Sequence, residues 1–78
     1  MVELRLTNGE YDFFITIAEY LTIQDLINEL KKRITLNNPQ LLFRGEPLNT
    51  NSSISSFNFK NRAKIIFNDK YNGGKYNI

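Results

Sequence analysis

The sequence predicts an α+β roll, a mixed sheet of four to five strands packed on one helix. Three observations carry this. Runs of alternating apolar and polar residues flank Asn8-Gly9 in "VELRLTNGEYDFFITI". The apolar period then becomes helical in "LTIQDLINELKKRI". Alternation returns in "QLLFRG" and "RAKIIFND". One amphipathic helix covers one face of such a sheet, and the second face meets solvent.

Asn-Gly between alternating runs is the strongest short-range hairpin signal, because both turn residues need positive φ. A two-residue turn would set Thr7 against Glu10, Leu6 against Tyr11, Arg5 against Asp12, Leu4 against Phe13 and Val2 against Ile15. Cross-strand partners share a face. Val2, Leu4, Leu6, Tyr11, Phe13 and Ile15 then form one apolar face, with Arg5 and Asp12 paired on the other.

In the next segment Ile23, Leu26, Ile27, Leu30 and Ile34 fall on one helical stripe. Thr22 is a good N-cap, and Asp25 completes a capping box with Asp in place of Glu. Lys31, Lys32 and Arg33 suit the negative end of the helix dipole. They read as a solvated helix end rather than as a phosphate or acidic-partner site.

"NNP" breaks the chain, and "QLLFRG" follows as a strand. Leu41 and Phe43 point inward; Gln40, Leu42 and Arg44 point outward. "EPL" reads as a turn and a stub of edge strand, since Pro47 cannot donate to a central ladder. "NTNSSISSFNF" is loop, with Ile54, Phe57 and Phe59 as core anchors. In the last strand Ile65 and Phe67 point one way, and Lys64, Ile66 and Asn68 the other. The polar remainder contains Gly73-Gly74. Residues 1–70 are therefore expected to form one domain and residues 71–78 a flexible polar tail.

Seventy-eight residues suffice for one domain that buries about 60% of its unfolded surface. With no Cys and no His, disulfides, thiol chemistry, a conventional zinc site and the commonest general base are all absent. No metal and no cofactor is expected. No apolar run approaches the roughly 20 residues that span a bilayer, and no signal-peptide pattern opens the chain. No membrane partner is expected. Cysteine absence fits a reducing compartment, so a cytoplasmic or nuclear location is the expectation.

Charge is split along the chain. Residues 1–30 hold six acids and one Arg, net −5; residues 31–78 hold nine basic residues and two acids, net +7. The basic residues are scattered and lack an aromatic stacking motif, so nucleic-acid binding is not expected. The carboxylates are also scattered. No Gly-rich loop opens a helix, and no nucleophile-base pair is visible, so the chain is not read as an enzyme.

The layout resembles the ubiquitin family, and the likeness extends to motifs. "LTIQDLINEL" looks like that family's capped helix start. "PQLLFRGEPLN" resembles its Gln-x-Leu-Ile-Phe-x-Gly-x-x-Leu segment. "SISSFNFKNRAKIIF" resembles its loop and last strand, with Ile54, Phe57 and Phe59 in the anchor slots. Gly73-Gly74 falls where ubiquitin's terminal diglycine falls. The resemblance implies a ubiquitin-like β-grasp roll.

It also implies a binding patch. Leu42 stands at ubiquitin's central patch isoleucine, Ile66 at the neighbouring histidine, and Asn68 at a valine. The flanking leucine of the first turn has no counterpart, the Asn8-Gly9 turn being read as shorter and polar. The candidate patch is Leu42 and Ile66, framed by Gln40, Arg44, Lys64 and Asn68. The alternation reaches the same pair independently, as branched apolar residues on the open sheet face.

Two functions follow from the resemblance. The favoured one is a monomeric, non-covalent interaction module, with Gly73-Gly74 as linker. Its partners would be ubiquitin-pathway proteins such as proteasome receptors and ubiquitin-binding domains. The alternative is a protein modifier. Removal of Lys75 to Ile78 would expose the Gly74 carboxylate to activating and conjugating enzymes, which would join it to target lysines. Such chemistry suits glycines, since a tail threading a narrow channel must lack side chains near the reacting carbonyl. The run before the glycines departs from the family: Lys70, Tyr71 and Asn72 replace a Leu-Arg-Leu-Arg run. Ubiquitin's commonest chain-linking lysine corresponds to Glu46 and another to Asn61, so polymers of the usual kinds are not expected.

Overall fold

The computed structural model describes residues 1–69. The expectations for Lys70, Tyr71, Asn72, Gly73, Gly74 and the tail, including its boundary, lie outside these residues. Five strands form one sheet: β1 (Val2–Thr7), β2 (Asp12–Ile17), β3 (Pro39–Phe43), β4 (Glu46–Pro47) and β5 (Ala63–Asp69). Helix α1 spans Ile23–Arg33, and a short 3-10 helix spans Ile54–Phe57. Strand order is β2-β1-β5-β3-β4, with β5 parallel to β1 and antiparallel to β3. This is the expected α+β roll.

The first hairpin differs from its expected register. Thr7 pairs with Asp12, Leu6 with Phe13, Leu4 with Ile15 and Val2 with Ile17. The loop therefore has four residues, Asn8 to Tyr11. Its cause is the Asn8 side chain, whose Oδ1 accepts hydrogen bonds from the Glu10 and Tyr11 amides at 2.9 and 2.7 Å. Asn8 thus closes a local Asx turn, and only Gly9 takes positive φ, +93°. The shift is two residues, so side-chain parity survives. Val2, Leu4, Leu6, Ile15 and Ile17 are buried, while Tyr11 leaves the apolar face and is exposed. Arg5 now lies opposite Phe14. It still reaches Asp12 diagonally, with Nε donating to Oδ1 at 2.9 Å.

The helix forms as its sequence dictates. Thr22 Oγ1 accepts from the Asp25 amide at 3.1 Å, and Asp25 Oδ2 accepts from the Thr22 amide at 2.9 Å. Two further N-terminal amides, Ile23 and Gln24, donate to the Ser52 and Thr50 carbonyls at 3.0 Å each. The long loop thereby satisfies groups that a helix start leaves open. Ile23, Leu26, Ile27 and Leu30 are buried on one stripe, and Ile34 is the half-buried C-cap. They meet Leu41, Ile65, Phe67 and the β1–β2 face.

The second turn sits two residues earlier than expected. Phe43 pairs with Glu46, leaving Arg44-Gly45 as a two-residue turn with φ +53° and +82°. That left-handed pair is the geometry of a type I′ hairpin. Arg44 is thus a turn residue and not an outward strand residue. Glu46–Pro47 forms the expected edge stub. Leu48 is buried and its amide donates to the Leu41 carbonyl at 2.8 Å. Ile54 and Phe59 are buried and Phe57 half-buried, but residues 54–57 are helical rather than irregular.

Candidate functional site

The α1-distal sheet face is built by ladder register. Leu42 pairs directly with Ile66, and Gln40 with Asn68. Thr7 lies beside Ile66 on β1, and Pro47 lies opposite Leu42 on β4. A row of Thr7, Ile66, Leu42 and Pro47 therefore crosses four strands. The next position along the face holds Arg5 beside Lys64. Five of the six expected patch residues, Gln40, Leu42, Lys64, Ile66 and Asn68, share this face. Arg44 lies past the end of β3, in the turn. Leu42, Ile66 and Gln40 are half-buried; Arg44, Lys64 and Asn68 are exposed. The first loop, expected to be short, has four residues and presents Tyr11 at its end.

Thr7 and Pro47 did not follow from the sequence reading. Gly45 was the available signal: placing a two-residue turn there would have set Pro47 opposite Leu42.

Charges divide this face. At the β1–β2 side, Arg5 holds Asp12 and Arg62 Nε donates to Glu3 Oε1 at 3.0 Å. The Arg62 guanidinium also lies 5.3 Å from the Phe14 ring centroid. The Asp12 carboxyl is held below its ordinary value chiefly by the Arg5 hydrogen bond; desolvation opposes this, and the charges of Arg5 and Lys64 add smaller lowering contributions. Arg44, Lys60 and Lys64, the last on β5 beside Arg5, take part in no ion pair among the described residues.

Those three cations border an open groove of about 610 Å³ beside the patch. Phe43, Phe57 and Phe59 supply its apolar wall. Phe43 and Phe59 meet edge-to-face at 4.9 Å, and Phe57 stacks on Phe59 at 5.2 Å. Arg44, Lys64 and Ile66 belong to both groove and patch. Among the described residues no group of three or more His, Cys, Asp and Glu is placed to hold a metal, and no helix is long and apolar enough to cross a membrane.

No family model matches the chain, and no curated protein matches it in sequence. Solved structures do match in fold. The crystal structure of ATBAG1 in complex with HSP70 superposes with a TM-score of 0.85 at 13% identity, over 96% of this chain. This chain spans only 44% of that one. A structure concerned with molecular mimicry of SUMO that promotes DNA repair matches with a TM-score of 0.77 at 22% identity, over 86% of this chain and 89% of that one. At such identities the likeness shows the fold, which is ubiquitin-like, and does not select a function.

Proposed function

We propose that this ubiquitin-like fold is a non-catalytic protein-interaction module that binds ubiquitin-pathway proteins through its open sheet face. One observation carries the reading: Leu42 and Ile66 are direct cross-strand partners on the face opposite α1. Two branched apolar side chains paired there are a compact anchor, and the polar frame of Gln40, Asn68 and Lys64 resembles the rim of a binding site. The ATBAG1 match supports a module: that protein is solved in complex with HSP70, and its chain is more than twice as long as the matched part. The partners proposed are proteasome receptors or ubiquitin-binding domains, met in the cytoplasm or nucleus. The domain proposed is residues 1–70.

The second reading, a modifier joined to lysines through Gly74, is favoured by one observation, the position of Gly73-Gly74 after the last strand. Intact-mass spectrometry of the protein from its native cells separates the two. A species ending at Gly74 with heavier conjugates above it establishes the modifier. A single larger polypeptide containing this segment supports the module.

A further inference from the structure

We infer that the groove beside the patch is a second recognition point, one that seats an apolar side chain of a partner peptide flanked by carboxylates. The inference rests on the reading of the chain as an interaction module and adds the chemistry of the partner. The groove's apolar wall is assembled from Phe43 at the end of β3 and from Phe57 and Phe59 in the long loop. Its cations come from three separate places: Arg44 in the second turn, Lys60 before β5 and Lys64 on β5. No acidic residue lines it. An apolar wall bordered by positive charge alone complements an apolar residue between acids.

Two turns shape the groove. Arg44, in the second hairpin turn, and Asn58, the cap of the 3-10 helix, hold φ of +53° and +54°. Arg is not a residue that the left-handed region favours, and here it sets a guanidinium 5.1 Å from the Phe43 ring centroid, at the groove mouth. A volume of about 610 Å³ lies within the range of ligand sites, but such sites enclose most of a small ligand. An open groove suits a side chain carried on a peptide. Nucleic acid fits less well. Arg44 lies over the Phe43 ring and Phe57 stacks on Phe59, which leaves fewer of the stacking platforms that single strands use.

The test is a titration of the ¹⁵N-labelled 78-residue chain with acetylated nine-residue peptides. Each carries Leu, Phe or Trp between Glu-Asp pairs; controls carry Lys-Arg pairs instead. Saturable shifts at the Gly45, Asn58 and Lys60 amides with an acidic peptide, absent with its basic counterpart, are expected. A Lys60→Glu, Lys64→Glu double variant, changed only at exposed positions, should bind about tenfold more weakly. Leu42→Ala should leave peptide binding within about twofold. Loss of the patch reading would appear as Leu42→Ala leaving pathway partners bound, and does not bear on the groove. Four outcomes overturn the groove: no acidic peptide shifts those amides, basic peptides shift them equally, a twelve-nucleotide single strand binds there more tightly, or the same shifts grow with protein concentration alone and identify a second copy.

Discussion

Leu42 and Ile66 face each other across the β3–β5 ladder, and both are half-buried on the face that α1 leaves uncovered. Leu30, by contrast, is fully buried beneath the other face.

This contrast separates folding from recognition. Leu30→Ala should cost about 2–5 kcal/mol through the cavity it leaves, and Leu42→Ala less than about 1.5 kcal/mol. Urea unfolding measures both. Binding to a panel of ubiquitin-binding domains should weaken for Leu42→Ala. Equal loss of stability and binding in that variant would remove the patch from the proposal.

Asp12 makes stability depend on pH. Its folded-state pKa is lowered by the Arg5 hydrogen bond, so the folded state binds the proton less readily than the unfolded chain. The contribution is complete above the ordinary aspartate value of about 3.9 and is lost as pH falls through and below it. Urea midpoints of the parent chain and Asp12→Asn should differ at pH 7 and converge at low pH. Raised salt should narrow the gap, since the pair is exposed. A gap that persists into strong acid would refute this account.

Arg44→Asn should also separate fold from function. Asn tolerates the left-handed backbone better than Arg, while the substitution removes a contact to Phe43 that is worth roughly 0.5–1 kcal/mol. The two effects oppose, so stability should stay within about 0.5 kcal/mol. Affinity for the acidic peptides should fall several-fold. Thermal melts and the titration above check both halves; unchanged affinity would exclude Arg44 from the groove's recognition.

Thr22→Ala should destabilise by about 1 kcal/mol, as loss of an N-cap does. Asp25→Ala removes the reciprocal bond of the same box. The double variant should therefore cost less than the sum of the two singles. Additive costs would show that the two bonds act separately.

The helix was fully legible because its information is local: a 3.6-residue stripe, a cap and a basic end lie within consecutive residues. The sheet's inward face was also legible, since alternation fixes parity. The register was not. Asn8-Gly9 looked like a two-residue turn, but the Asn8 side-chain Oδ1 accepts from the amides of Glu10 and Tyr11 instead. The two-residue turn sits at Arg44-Gly45, hidden because Arg rarely takes positive φ. For the site, alternation placed Leu42 and Ile66 on one face, yet their direct pairing required the ladder. The groove was invisible, since Phe43 and Phe59 meet only through the path of the long loop.

The placement of β5 governs how the chain can fold. The middle strand of the sheet is the last of the five in sequence. Until residues 63–69 arrive, the β1–β2 and β3–β4 hairpins have no strand to join them, and an isolated hairpin is marginal in water. The nascent chain therefore cannot complete its sheet from either hairpin alone. Its sheet closes only after synthesis of β5, in a step that unites opposite ends of the described chain and is slowed by the loops it must close.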